Sequence, residues 1–100
     1  MAEHSSGYAR YSIAHSNRPT VQIRVKGRNR WALERLMQAR EAGCTPLTHP
    51  GPRWSGYVHN LREMGVQIET ITEPHDGPYP GTHGRYVLRC TVARIEEGGA

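Results

Sequence analysis

The side chains best suited to chemistry lie on one face of a predicted helix. Between Pro52 and Met64 the apolar residues recur at three- and four-residue spacing, which directs the polar residues to the opposite, outward face. On such a face Arg53 and Asn60 are suited to the base edges of guanine and adenine. Ser55 and Arg62 are suited to phosphate. The outward residues are Arg53, Ser55, Gly56, His59, Asn60, Arg62 and Glu63.

Two residues of this face bear on its use. Gly56 costs a helix about 1 kcal/mol relative to alanine, which makes sense where another surface approaches closely. Glu63 opposes phosphate. The alternative interpretation is therefore an ordinary solvated face.

The basic residues indicate a partner that carries phosphates or carboxylates. Twelve of the 13 basic residues are arginine, whose planar guanidinium binds both groups through paired hydrogen bonds. Residues 1–30 carry six basic residues and one glutamate, whereas residues 31–100 carry seven basic and eight acidic residues. The positive charge is thus concentrated at the N-terminal end, where Arg28 and Arg30 are predicted to hold phosphate.

A loop rich in Pro and Gly, predicted over Glu73–Gly84, supplies a second group of candidates. Basic, histidine and tyrosine side chains on such a projection could reach a phosphate or a minor groove. Asp76 and Glu73 favour the alternative, a turn composition with nothing bound. The candidates are His75, Tyr79, His83 and Arg85.

No metal, cofactor or catalytic function is predicted. No two of the histidines at positions 49, 59, 75 and 83 have helical i, i+4 spacing, and neither Cys44 nor Cys90 neighbours them. The sequence has no Gly-rich phosphate loop followed by Lys-Ser/Thr and no nucleophile elbow. The two cysteines are interpreted as buried thiols in a reducing compartment.

The length and composition predict one small domain in the cytoplasm. One hundred residues of ordinary apolar content can build one core but not two. No apolar run is long enough to cross a membrane, and there is no signal-peptide pattern.

Two helices must position the candidate residues. The first is predicted over Arg30–Ala42, with Asn29 as its cap and Gly43 as its end. The second is the helix described above, and Gly65 ends it. The segment between them, Cys44–Gly51, contains two prolines and is too short for a full helix. The inward residues are Leu33, Leu36 and Met37 in the first helix and Trp54, Tyr57, Val58 and Leu61 in the second.

Three strands are predicted from alternating apolar residues. Thr20–Val25 is expected to join a later hairpin formed by Gln67–Thr72 and Arg85–Val92. In the last strand Tyr86, Leu88 and Cys90 are predicted to face the core, with Arg85, Val87 and Arg89 on the other side. Residues 1–19 and 95–100 are predicted to be flexible tails.

This order of elements resembles the small winged helix-turn-helix domains of bacterial and prophage proteins. The most specific parts of the resemblance are residues 31–36 (WALERL), 50–55 (PGPRWS) and 61–70 (LREMGVQIET). It implies an α+β domain over residues 20–94, with an N-terminal strand, a C-terminal hairpin as the wing, and a shortened or degenerate first helix of the helix-turn-helix. The outer face of the Pro52–Met64 helix would then lie in the major groove of DNA.

Two functional hypotheses follow from the residues and the resemblance. The first is a DNA-binding regulator of transcription, with double-stranded DNA as its partner. The second is a protein-binding winged helix, an inhibitor or adaptor of phage type that acts on host machinery. The near-neutral outer face of the second helix and the arginine-rich N-terminal end are compatible with either.

Overall fold

The computed structural model describes residues 8–46, 48, 53–78 and 80–95 of an α+β chain. The elements are β1 (Ala9–His15), β2 (Arg18–Val25), α1 (Gly27–Ala39) with a 3-10 turn (Arg40–Ala42), α2 (Trp54–Glu63), β3 (Ile68–His75), β4 (Gly81–Leu88) and β5 (Thr91–Ile95). Of the described helices, neither has the length and apolar character needed to span a membrane.

The first sheet lies at the N-terminal end and has the strand order β2-β1-β5, with antiparallel pairing throughout. Its central strand β1 falls within the predicted tail, so that prediction is wrong for residues 9–15. The residues of β1 do alternate: Ala9, Tyr11 and Ile13 are buried, while Arg10 is exposed. The polar residues at every second position of β1 resemble the polar residues around it, so the strand was not recognised in the sequence.

Strand β2 was predicted to join the hairpin and pairs with β1 instead. Its predicted inward stripe holds for Val25, which is buried, and for half-buried Ile23. Val21 is 43% exposed, because β2 is the outer strand of the sheet.

The second sheet is the β3–β4 hairpin, which is longer than predicted. Its register runs from Ile68 opposite Leu88 to His75 opposite Gly81, so most of the predicted loop is strand. Pro74 is tolerated because β3 pairs with β4 alone, and a proline can sit on an outer strand. The connection between the strands is confined to residues 76–80.

The core joins the two helices to both sheets. All four residues predicted to form the inward stripe of α2 are buried, as are Leu33 and Leu36 of α1 and Ile68 of β3. Helix α1 begins at Gly27, earlier than predicted. Lys26 is its cap residue and Asn29 lies inside the first turn.

One residue of β4 was assigned to the wrong side. Val87 was predicted to face outward, yet it is 1% exposed. The chain after the 3-10 turn covers it: Cys44 and Tyr86 exchange backbone hydrogen bonds of 2.9 and 2.8 Å beside it. On the other face of β4, Tyr86 stacks on Trp54 with 5.9 Å between ring centroids. Strand β4 is therefore covered on both faces.

The segment after the 3-10 turn is described only in part. Thr45 and Thr48 donate to each other's hydroxyl groups from their backbone nitrogens, at 3.1 and 3.0 Å, which forms a compact turn. The remainder of the predicted short helix region, residues 47 and 49–52, lies outside the described residues. Cys44 and Cys90 are free thiols, and burial raises the pKa of Cys44 to about 11.

A buried network links β1 to α1. The Tyr11 hydroxyl donates to Glu34, which also lies 3.5 Å from Arg30 Nε and 3.6 Å from Arg94 Nη1. The hydrogen bond from Tyr11, followed by the nearby arginines, lowers the pKa of Glu34 despite its partial burial. Arg30 thus contributes to holding the first sheet on α1.

The free energy of unfolding is expected to fall as the pH rises from 10 to about 12. Burial, and then the bond to Glu34, raise the pKa of Tyr11 from 10.0 to about 12. A raised pKa stabilises the fold fully below the unfolded-state value, and this stabilisation is lost as pH rises through the folded-state value. The shift corresponds to roughly 3 kcal/mol. Chemical denaturation of wild type and Tyr11→Phe across this range isolates the effect, since the variant lacks the titrating hydroxyl. Parallel pH profiles would contradict it.

Candidate nucleic-acid interface

The outer face of α2 presents most of the residues predicted to contact DNA. Arg53, Ser55, His59 and Asn60 are exposed and Gly56 is half-buried. A side chain at Gly56 would meet the Arg53 guanidinium at 3.6 Å, so Arg53 folds back along this face over the glycine. His59 lies 3.7 Å from Glu63, and both side chains are about 70% exposed.

The start of α1 adjoins this face. Asn60 Nδ2 donates to Asn29 Oδ1 at 3.2 Å, which joins the two helices across their polar sides. Arg28 Nε donates to the Tyr57 hydroxyl at 3.2 Å, and its guanidinium lies 4.7 Å from the Trp31 ring centroid. Arg28 is therefore held in one orientation at the junction of the helices.

A cluster of aromatic rings packs between α1 and α2 at this junction. Trp31, Trp54 and Tyr57 form three ring contacts, with centroids between 5.4 and 6.4 Å apart. Trp31 is thus a packing residue, as expected of a large aromatic in a small core. Aromatic contacts of this kind fix the α1–α2 crossing and with it the spacing of Arg28 and Asn60.

Arg62 is bound within the domain. Its guanidinium donates to the backbone oxygen of Ile68 at 2.7 Å and to the Thr70 hydroxyl at 2.9 Å. These bonds satisfy a carbonyl at the start of β3 and tie the end of α2 to the hairpin. The structure thus gives Arg62 a positioning role at this end of the helix.

The predicted wing residues form one network around Glu73. Arg85 binds this carboxylate and also donates from Nη1 to the Ala42 oxygen at 2.7 Å. The hydrogen bond from Arg85 is the largest cause of a lowered pKa at Glu73. His83 Nε2 lies 3.1 Å from the same carboxylate, and its Nδ1 lies 2.9 Å from Nδ1 of His75. The remaining candidate, Tyr79, lies outside the described residues.

The two histidines constrain each other's protons. A hydrogen bond between two Nδ1 atoms needs one ring to donate and the other to accept. His83 Nε2 faces the Glu73 carboxylate, so that nitrogen carries a proton. The histidines therefore stiffen the hairpin side by side, with stacked rings 5.1 Å apart.

Among the described residues, no group of three or more His, Cys, Asp or Glu side chains could hold a metal ion. The site accordingly consists of hydrogen-bond donors and acceptors on the α1–α2 surface.

The comparison with protein families agrees with this architecture. The family model described as a winged helix domain matches residues 22–98. The chain belongs to the winged helix domain family. The match begins within β2, so strand β1 precedes it. Neither the curated proteins nor the solved structures give a match to this chain.

The family match confirms the predicted winged helix and its α+β fold class. In a winged helix of this arrangement, α2 corresponds to the second helix of the helix-turn-helix and β3–β4 to the wing. Winged helix domains generally bind DNA, and the fold of this chain agrees with that function.

The role of one residue at the helix junction was not predicted from the sequence. Asn29 was predicted as a helix cap and instead binds Asn60, 31 positions further along the chain. No local pattern signals a contact between side chains on two different helices. Only the polarity of both residues at predicted outward positions was available as a signal.

Proposed function

We propose that this winged helix protein binds double-stranded DNA through the outer face of α2 and regulates transcription, as a protein of bacterial or prophage type. The observation that carries the proposal is the α1–α2 junction, where Arg28 and Asn60 are held in fixed orientations beside exposed Arg53. A recognition helix needs such side chains at a surface that can enter the major groove.

Asn60 is suited to read adenine without leaving Asn29. A carboxamide has two N–H donors and one oxygen acceptor, and the bond to Asn29 uses one donor. The second N–H and the oxygen match the acceptor and donor that adenine presents in the major groove. The bond to Asn29 thereby orients the amide before DNA arrives.

Arg53 and Arg28 have different roles in this proposal. Arg53 lies along the exposed face of α2 and reaches guanine, whose two major-groove acceptors match the fork of a guanidinium. Arg28 lies at the edge of the face and holds a phosphate, oriented by the Tyr57 hydroxyl. Ser55 is a further phosphate contact. The wing network keeps β3–β4 rigid beside the duplex.

Replacing Arg53 with alanine is expected to weaken binding to the preferred duplex by about 1–3 kcal/mol and to relax the base preference at one position. Replacing Arg28 should weaken all duplexes alike and lower the slope of log affinity against log salt by roughly one unit. Affinity measured on a preferred and a random duplex at several salt concentrations separates the two effects.

Arg89→Ala is the matched control for the removal of one positive charge. Arg89 pairs with Glu69 on the hairpin at 2.7 Å, away from the outer face of α2. We expect this variant to keep the base preference. If Arg53→Ala and Arg89→Ala lower the affinity for both duplexes equally, the recognition role of α2 is wrong.

The alternative partner is a protein. Two arginines of the hairpin are neutralised by glutamates, Arg85 by Glu73 and Arg89 by Glu69, which leaves the wing with little net charge. Such a surface suits an inhibitor or adaptor that acts on host machinery. Weak DNA binding that is indifferent to Arg53 would favour this function over the first.

A further inference from the structure

The β2-β1-β5 sheet has an outer face, turned away from the core, that forms a separate polar surface. The buried residues of β1 alternate with Arg10 and Ser12, which lie opposite Arg24 and Gln22 of β2 in the antiparallel register. Side chains directly opposite in such a pair share one face of the sheet. On the other side of β1, strand β5 places only uncharged residues on this face: Thr91, Ala93 and Ile95.

Two arginines occupy directly opposite positions on this face. Arg10 and Arg24 are paired across the strands, and like charges in this arrangement repel each other. Arg10 Nη2 donates to Gln22 Oε1 at 3.2 Å, which holds its guanidinium over β2. A surface depression is lined by Arg10, Gln22, Ile23 and Arg24. An anion bound there would lie between both guanidinium groups and relieve their repulsion.

A tyrosine extends the basic surface towards the helices. The Tyr8 ring centroid lies 4.7 Å from the Arg24 guanidinium carbon and 5.0 Å from Lys26 Nζ, within the range of cation–π contacts. Lys26 is the single residue between β2 and α1, and Arg28 follows in the first turn of α1. Arg24, Lys26 and Arg28 therefore form a basic path from the sheet to the α1–α2 junction.

The charge of this region is of one sign. Residues 8–30 include six basic residues and no acidic one. Strand β1, with Arg10, precedes the residues matched by the winged helix family, whereas Arg24 and Lys26 lie within them. Strand β1 thus adds to the winged helix a face with paired arginines.

We infer that this outer sheet face, formed by Arg10, Gln22, Arg24 and Lys26, binds the phosphodiester backbone of nucleic acid without reading its sequence. Because the basic path leads to Arg28, we expect this face to bind the same duplex that α2 reads. In this respect the inference rests on the proposed function. The contribution is electrostatic: each neutralised phosphate releases counterions and makes affinity more dependent on salt.

The test uses the double variant Arg10→Ala/Arg24→Ala and a random duplex, with affinity measured over a range of salt concentrations. We expect the slope of log affinity against log salt to become shallower by about two units. The ratio of affinities for the preferred and random duplexes should stay the same. Arg10→Lys/Arg24→Lys keeps both charges and should keep most of the slope. Thermal unfolding verifies that each variant is folded.

A matched control removes an exposed arginine that does not belong to this sheet face. Arg40 follows the end of α1, and Arg40→Ala should leave the slope within a fraction of a unit of wild type. A slope unchanged in Arg10→Ala/Arg24→Ala, or a loss confined to the preferred duplex, would overturn the inference.

A second probe separates this inference from the proposed function. Long-chain inorganic polyphosphate has no bases, so α2 has nothing to read in it. Binding of polyphosphate that weakens in Arg10→Ala/Arg24→Ala and persists in Arg53→Ala supports the sheet face, even if no preferred duplex exists. Polyphosphate binding that both variants leave unchanged would overturn the inference while sequence-selective DNA binding stands.

Discussion

Replacing Leu61 with alanine is expected to lower the free energy of unfolding by about 2–5 kcal/mol. Leu61 is fully buried in α2, within the cluster that includes Leu33 and Leu36 of α1. The substitution removes apolar contacts and leaves a cavity that the packed rings of Trp54 and Tyr57 restrict from collapsing. A small domain has about 5–15 kcal/mol of stability, so the loss is a large share of the total. Chemical denaturation gives the value.

His59→Ala is the matched control for the Leu61 variant. His59 lies on the same helix with its side chain 72% exposed, so its truncation changes helix propensity without opening a cavity. We expect a change within about 0.5 kcal/mol. An unfolding curve for Leu61→Ala that coincides with wild type would remove Leu61 from the core and contradict the packing of α2.

The sequence predicted α2 well because its signal is local. Trp54, Tyr57, Val58 and Leu61 recur at helical spacing, and all four are buried. Gly65 has a φ of 105°, as expected for a glycine that ends a helix. Predicting helix α2 and its outward residues therefore needed no tertiary information.

Strand β1 was missed because its polar residues concealed the alternation, although one of its two partner strands, β2, is close in the chain. Ile13 pairs with Val92, nearly 80 positions further along the chain, and its other partner is Val21. The polar positions of the alternation in β1 are held by Arg10 and Ser12, residue types that are also typical of tails. Only the closing of the sheet by β5 shows that β1 is the central strand.

The prediction of a loop over Glu73–Gly84 is wrong because tertiary pairing overrides the local preference of its residues. Gly81 and Gly84 are strong breakers in isolation, yet both lie in β4, opposite His75 and Thr72. Cross-strand pairing and the stacked histidines outweigh the local preference of these residues. The hairpin is accordingly longer than a reading of its Pro and Gly content predicts.

The candidate site could be located from the sequence, but the state of its arginines could not. Arg53 and Arg28 reach the α1–α2 surface, whereas Arg62 and Arg85 bind acceptors inside the domain. The Ala42 oxygen that Arg85 contacts lies 43 positions earlier in the chain. Sequence periodicity gives the face on which an arginine lies and carries no information on such distant acceptors.

Gly43→Ala is expected to destabilise the fold more than the same change at a glycine where a Cβ would meet no neighbouring atom. Gly43 has a φ of 71°, which costs an alanine roughly 1–2 kcal/mol. A Cβ there would also lie 2.6 Å from the Tyr86 oxygen and 2.9 Å from Val87 Cγ2. Such an overlap costs about 1–3 kcal/mol more, since β4 must move away from the 3-10 turn.

Gly27→Ala is the control, because it places an alanine at a positive φ in open space. Gly27 has a φ of 64°, and a Cβ there meets nothing within 4 Å. Chemical denaturation of both variants gives the two free energies of unfolding, and a larger loss in Gly43→Ala is expected from the overlap and from its ψ of −176°. Hydrogen exchange should be faster at the Cys44 and Tyr86 amides in Gly43→Ala only, because their mutual bonds hold the hairpin on the turn. Equal losses of stability in the two variants would show that β4 yields without cost, and that this close approach does not anchor the wing.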